Sequence, residues 1–100
     1  MTMQEMLDLG ALPLPDDMYY HVYISSDMGR IHLSVRKPRK WLWDKYIFGT
    51  SDWPIDVNGV KESMTDVLKR LSMRYPAELA RKKAQRDWYE NAKKFEGDHK

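Results

Sequence analysis

The chain has 100 residues, of which 42% are hydrophobic and 32% charged, with no cysteine and a formal net charge of +2. A chain of this size builds one domain with a small core. The missing cysteine excludes a disulfide scaffold, a thiolate metal site and a cysteine nucleophile, and the apolar content excludes wholesale disorder. No run approaches the roughly 18 apolar residues of a membrane span, so no membrane partner is expected.

Charge is segregated along the chain. Residues 1–29 hold five acids and no Lys or Arg, and residues 30–45 hold six basic residues against Asp44 alone. Residues 46–66 are acidic again, and residues 67–100 carry ten basic residues against five acids. Potentials act over about 8–10 Å at physiological salt, so these blocks matter locally although they nearly cancel in sum. A secretory leader needs a basic start and an apolar middle. Met1 to Asp17 has neither Lys nor Arg, so no leader is expected and the cytoplasm is the expected location, that of the host cell if the chain is phage-encoded.

Residues 1–16 read as an N-terminal arm. Thr2 and Glu5 have capping-box spacing and Gly10 suits a helix stop, so a short helix over Thr2 to Leu9 is expected. Pro13 and Pro15 then force extended backbone. Residues 17–97 read as a single α+β domain and residues 98–100 as a disordered tail.

Met18 to Arg36 has the period-two pattern of a β-hairpin. Tyr20, Val22 and Ile24 alternate with Tyr19, His21 and Tyr23. After Ser26-Asp27-Met28-Gly29, Ile31, Leu33 and Val35 alternate with His32, Ser34 and Arg36. A four-residue loop pairs Ile24 with Ile31, Val22 with Leu33 and Tyr20 with Val35. A one-residue slip would oppose Ile24 to His32, so the register is well specified.

Lys37-Pro38-Arg39-Lys40 reads as a turn and Trp41 to Phe48 as a third strand. Val57-Asn58-Gly59-Val60 carries a hairpin signal, yet Val60, Met64, Val67, Leu68, Leu71 and Tyr75 recur at helical spacing. A helix over about Val60 to Tyr75 is favoured, with Asp56 or Asn58 near its N-cap. Ser63 and Asp66 offer a later start if the hairpin wins. Pro76 is expected to open a second helix running to Phe95, its narrow stripe formed by Leu79, Ala80, Ala84, Trp88, Ala92 and Phe95. The expected architecture is α+β: a three-stranded antiparallel sheet, formed by the β-hairpin and the third strand, followed by two C-terminal helices packed on one face.

Catalytic chemistry is thinly represented. His21 and His32 fall on the polar hairpin face as diagonal neighbours, but a zinc site needs further ligands, and His99 lies in the tail. Asp16-Asp17, Asp52 and Asp56 read as turn and cap residues. The five glycines cannot be written as a phosphate-cradling loop. No enzymatic activity, metal or cofactor is expected.

Binding is better represented. Arg36, Lys37, Arg39, Lys40 and Trp41 interleave charge with an aromatic ring, and Tyr19, Tyr23 and His32 share a sheet face. Trp43 follows on the third strand, and Arg81, Lys82, Arg86 and Lys93 form a secondary basic surface on the last helix. Four Trp, six Tyr and seven Met exceed what so small a core absorbs, and such residues are enriched in interface cores. Two of the four tryptophans are expected to be structural. In general character alone, the chain resembles the accessory or inhibitor proteins of phages and mobile elements. A protein partner is therefore the leading expectation, and the alternative is a nucleic-acid-binding module using the basic and aromatic patch around residues 36–43 and the basic C-terminal helix. A homodimer is also compatible with the pattern.

Overall fold

The computed structural model describes residues 2–15, 17–26 and 29–97. The Asp16, Asp27 and Met28 turn positions, His99 and the tail over residues 98–100 therefore lie outside the described residues.

Helix α1 (Met3–Asp8) carries the capping box. The Thr2 hydroxyl accepts from the Glu5 N–H, and the Glu5 carboxylate accepts from the Thr2 N–H. At its other end Gly10 takes φ +95°, with Gly10 N–H donating to Leu7 and Ala11 N–H to Met6. That is a Schellman closure, and only glycine enters its left-handed position without strain. Met6 and Ala11, the two residues this closure brings together, are both buried in the core. The Tyr20 hydroxyl donates to the Leu12 carbonyl at 2.6 Å and ties the following extended segment to the sheet.

Strands β1 (Tyr19–Ile24), β2 (Ile31–Lys37) and β3 (Lys45–Asp52) form an antiparallel sheet in the order β1-β2-β3. The hairpin register is the one the hydrophobic pattern requires: Ile24 faces Ile31, Val22 faces Leu33 and Tyr20 faces Val35. The third strand begins at Lys45, four residues later than expected, and Trp41 to Trp43 form a bend instead of strand. Trp41 to Phe48 is mostly apolar or aromatic at both odd and even positions, so its pattern does not mark where the strand starts. A bulge between Val35 and Arg36 shifts the β2–β3 register, so Phe48 opposes Val35 while Tyr46 opposes Arg36.

Helix α2 (Met64–Ser72) is capped by Ser63, whose hydroxyl accepts from the Asp66 N–H at 3.2 Å. The expected start at Val60 is thus four residues too early. Asp56 caps a turn, not the helix. Its Oδ1 accepts from the N–H groups of Asn58 and Val60, Gly59 takes φ +79°, and Ile55 bridges to Lys61. Helix α3 (Arg74–Gly97) begins two residues before Pro76. Proline still costs nothing there, since the first four N–H groups of a helix lack intrahelical partners. The chain bends at Met73 between the two helices.

The core joins Met6 and Ala11 of the N-terminal arm, Tyr20, Ile31, Leu33 and Val35 of the sheet, Val67, Leu68 and Leu71 of α2, and Tyr75 of α3. Two ion pairs fasten the helices to the end of β3. Arg74 reaches Asp52 at 2.8 Å and the Thr50 hydroxyl, while Arg70 holds Glu62 at 2.5 Å and lies 3.5 Å from Asp52. Beyond Glu78 α3 leaves the body: Leu79 is already exposed, as are Trp88, Tyr89 and Phe95. Packing of α3 within the chain is therefore confined to its first turn. A radius of gyration of 17.8 Å, against about 13 Å for a compact domain of this length, records that projection.

Candidate binding surfaces

Two surfaces follow from this arrangement. The first is the bend between β2 and β3. Pro38 cannot donate to a ladder and follows the last β2 residue, Lys37. The segment that follows turns its side chains to solvent: Trp41 is 88% exposed, Leu42 56% and Trp43 79%. Arg39, itself exposed, folds back so that its Nε donates to the Trp43 carbonyl at 3.2 Å. At the end of the bend the Tyr19 hydroxyl donates to the Asp44 carboxylate, anchoring the loop to β1. That hydrogen bond, with burial and the Asp44 charge assisting, raises the Tyr19 pKa above its ordinary 10.0, and the Arg36 charge opposes the rise. Lys37 and Lys40 complete an exposed basic margin.

The second surface is the sheet face opposite the helices. Three side-chain rows cross it, since residues two apart along a strand share a face. Tyr23, His32 and Ser51 form one row; His21, Ser34 and Gly49 the next; Tyr19, Arg36 and Tyr46 the third. The middle row carries only small groups on β2 and β3, which leaves a trough of about 260 Å³ between larger walls. At one wall the Tyr23 and His32 rings meet with centroids 5.1 Å apart. At the other, Arg36 turns back so that its Nε donates to the Ser34 hydroxyl at 3.1 Å. The Tyr46 phenol lies over Gly49, where a Cβ would collide with it. Beside the trough, Arg30 donates to the Ser51 hydroxyl and sits 4.8 Å over the Trp53 ring.

The expected site residues thus divide into three groups. Trp41, Trp43, Arg39 and Lys40 sit together on the bend, with Lys37 at its start. Tyr19, Tyr23, His32 and Arg36 lie on the outer sheet face. Arg81, Lys82, Arg86 and Lys93 lie along the projecting part of α3, where Arg81 is held by Glu78 at 2.6 Å. Tyr46 and Gly49 were not anticipated, although a glycine inside a strand signals a close approach. The four tryptophans all remain substantially exposed, Trp53 least at 38%. The expectation of two structural tryptophans is therefore replaced by a core whose aromatic part is Tyr20 and Tyr75, with Phe48 packed against Tyr75 at 5.3 Å.

Among the described residues no group of three or more His, Cys, Asp or Glu side chains gathers as for a metal ion, and no helix is long and apolar enough to cross a membrane. No protein-family description matches the chain, and comparisons with curated proteins and with solved structures return no match.

Proposed function

We propose that this chain is a small non-enzymatic binding protein that docks on another protein through the Trp41-Leu42-Trp43 bend. The supporting observation is the exposure of three consecutive large apolar side chains on a seven-residue connection between ordered strands. Leaving such groups in water forgoes roughly 1.5–3 kcal/mol each relative to burial. Tryptophan is among the residues enriched at binding hot spots. Lys37, Arg39 and Lys40 border the anchors, so the partner surface is an apolar groove with an acidic rim, whose charge speeds encounter. Docking of this kind suits a cytoplasmic inhibitor of the accessory type found in phages and mobile elements.

The test is retention of a host protein by the immobilised chain and by its Trp41→Ala/Trp43→Ala variant. A partner held by the first and released by the second supports the reading. A partner held equally by both overturns it.

Nucleic-acid binding is the second reading, favoured by the aromatic and cationic composition of the outer sheet face. It requires affinity that falls steeply with salt and depends on Arg36 and Tyr23 rather than on the tryptophans.

A further inference from the structure

The trough on the outer sheet face holds a set of groups that docking through the bend does not use. Its floor is made by Ser34, beside the Tyr46 phenol that folds over Gly49 on the β3 side. Arg36 enters from one end. Its Nε is committed to Ser34, while no hydrogen bond engages its two Nη groups among the described residues. At the other end the tilted Tyr23–His32 pair offers ring surface, and Tyr46 walls the β3 side. No carboxylate lines the space. Asp44, on the same face, is engaged by the Tyr19 hydroxyl.

We propose that this trough binds a nucleoside phosphate, with the phosphate on Arg36 and the base on the Tyr23–His32 rings. A guanidinium fork is matched to phosphate oxygens, and a base stacks on any aromatic face without regard to sequence. Arg36 turns back to Ser34, so its guanidinium lies about two residues from His32 along β2, or about 7 Å. Such a span suits a phosphate and a base separated by a ribose. The volume of 260 Å³ lies just under the range of about 300–1,000 Å³ for small-molecule sites, so the ligand is of mononucleotide size at most. The ligand can arrive as a free nucleotide or as one unit of a single strand.

The experiment follows Tyr23, His32 and Arg36 resonances by NMR while adenosine monophosphate, uridine monophosphate, adenosine, inorganic phosphate, phenyl phosphate or a short oligouridylate is added at low salt. The mononucleotides are expected to shift all three residues at concentrations up to about 1 mM. Adenosine and inorganic phosphate alone are expected to bind about tenfold more weakly, and Arg36→Ala and Tyr23→Ala each to weaken the mononucleotides about tenfold. Arg36→Lys should recover part of the loss. Oligouridylate binding well above that of uridine monophosphate, with a linear salt dependence, assigns the source to a strand. Equal binding assigns it to the free nucleotide. Absence of shifts with both mononucleotides and the oligouridylate overturns the proposal. So does tighter binding of phenyl phosphate, or nucleotide affinity unchanged in a folded Arg36→Ala protein. The Trp41→Ala/Trp43→Ala variant should bind nucleotide normally, which separates this outcome from the fate of the docking reading.

Discussion

The Tyr46 phenol lies across Gly49, three residues further along the same strand and on the same sheet face. Two features combine to allow this. The bulge beside Val35 and Arg36 puts residue 46 opposite Arg36, and the missing Cβ at 49 opens the ground onto which the ring folds. The same contact shapes one wall of the trough, so a single glycine links strand irregularity to the outer surface.

Gly49→Ala should therefore act through Tyr46. The new methyl group would occupy the space of the phenol and force it outward, at a cost of up to about 1 kcal/mol, because the exposed ring can swing into solvent. Combining it with Tyr46→Ala should cost less than the two single changes together, because the clash vanishes. Chemical denaturation of the three variants measures this coupling. Strict additivity would show that the ring does not rest on Gly49.

A second prediction concerns acid. Burial pushes the Asp52 carboxyl up, but hydrogen bonds from Arg74 and the Trp53 N–H, and the charges of Arg70 and Arg74, outweigh it and hold the pKa below the ordinary 3.8. A carboxyl depressed in the folded state contributes stability that is complete above its unfolded value. That contribution is lost as pH falls through the folded one. The stability gap between the wild type and Asp52→Asn should be constant above about pH 5 and narrow progressively below about pH 4. Urea unfolding across this range reads it, and a gap that widens on acidification would contradict the assignment.

Ser63 is predicted to set the start of α2. Its hydroxyl satisfies the Asp66 N–H, and removal of such a cap costs about 0.5–2 kcal/mol. Ser63→Ala should lose this amount, while Asn58→Ala, in the preceding turn, should not behave as a cap. Equal losses at both positions would return the helix start to the earlier residues.

The projecting part of α3 should be the least protected ordered element. Beyond Glu78 its side chains are exposed almost throughout, and most helical stability in proteins comes from tertiary packing, which this part lacks. Amide exchange there should approach that of an isolated helix, while amides of Leu33, Val35, Leu68 and Leu71 exchange only through near-global opening. Uniform protection along α3 would mean that a second surface covers it.

Much of the fold was legible from residues 18–36, where strict alternation and a four-residue loop left a single register with one apolar face. The same arithmetic failed at Trp41 to Phe48, because a segment apolar on both faces carries no phase. Only the sheet decides where such a strand begins. At Val60 the helical spacing extended beyond the helix itself, and the Asp56 turn, built from side chain to backbone bonds, outcompeted it. Asp52 read only as a cap or turn residue, whereas it anchors Arg70 and Arg74 across 18 and 22 positions. Pairings between residues so far apart leave no local pattern. The aromatic surplus correctly pointed to the surface, but its distribution did not. Tyr20 and Tyr75 took the core, and the tryptophans were left outside.

The most direct test of the docking bend pairs two measurements on the Trp41→Ala/Trp43→Ala variant: thermal unfolding, and retention of the host protein that the wild-type chain captures. Both side chains are exposed, so stability should change by no more than about 0.5 kcal/mol per substitution while the captured protein is lost. A variant that still holds the same protein, or that unfolds at a much lower temperature, would contradict the account, as would a wild-type chain that captures nothing.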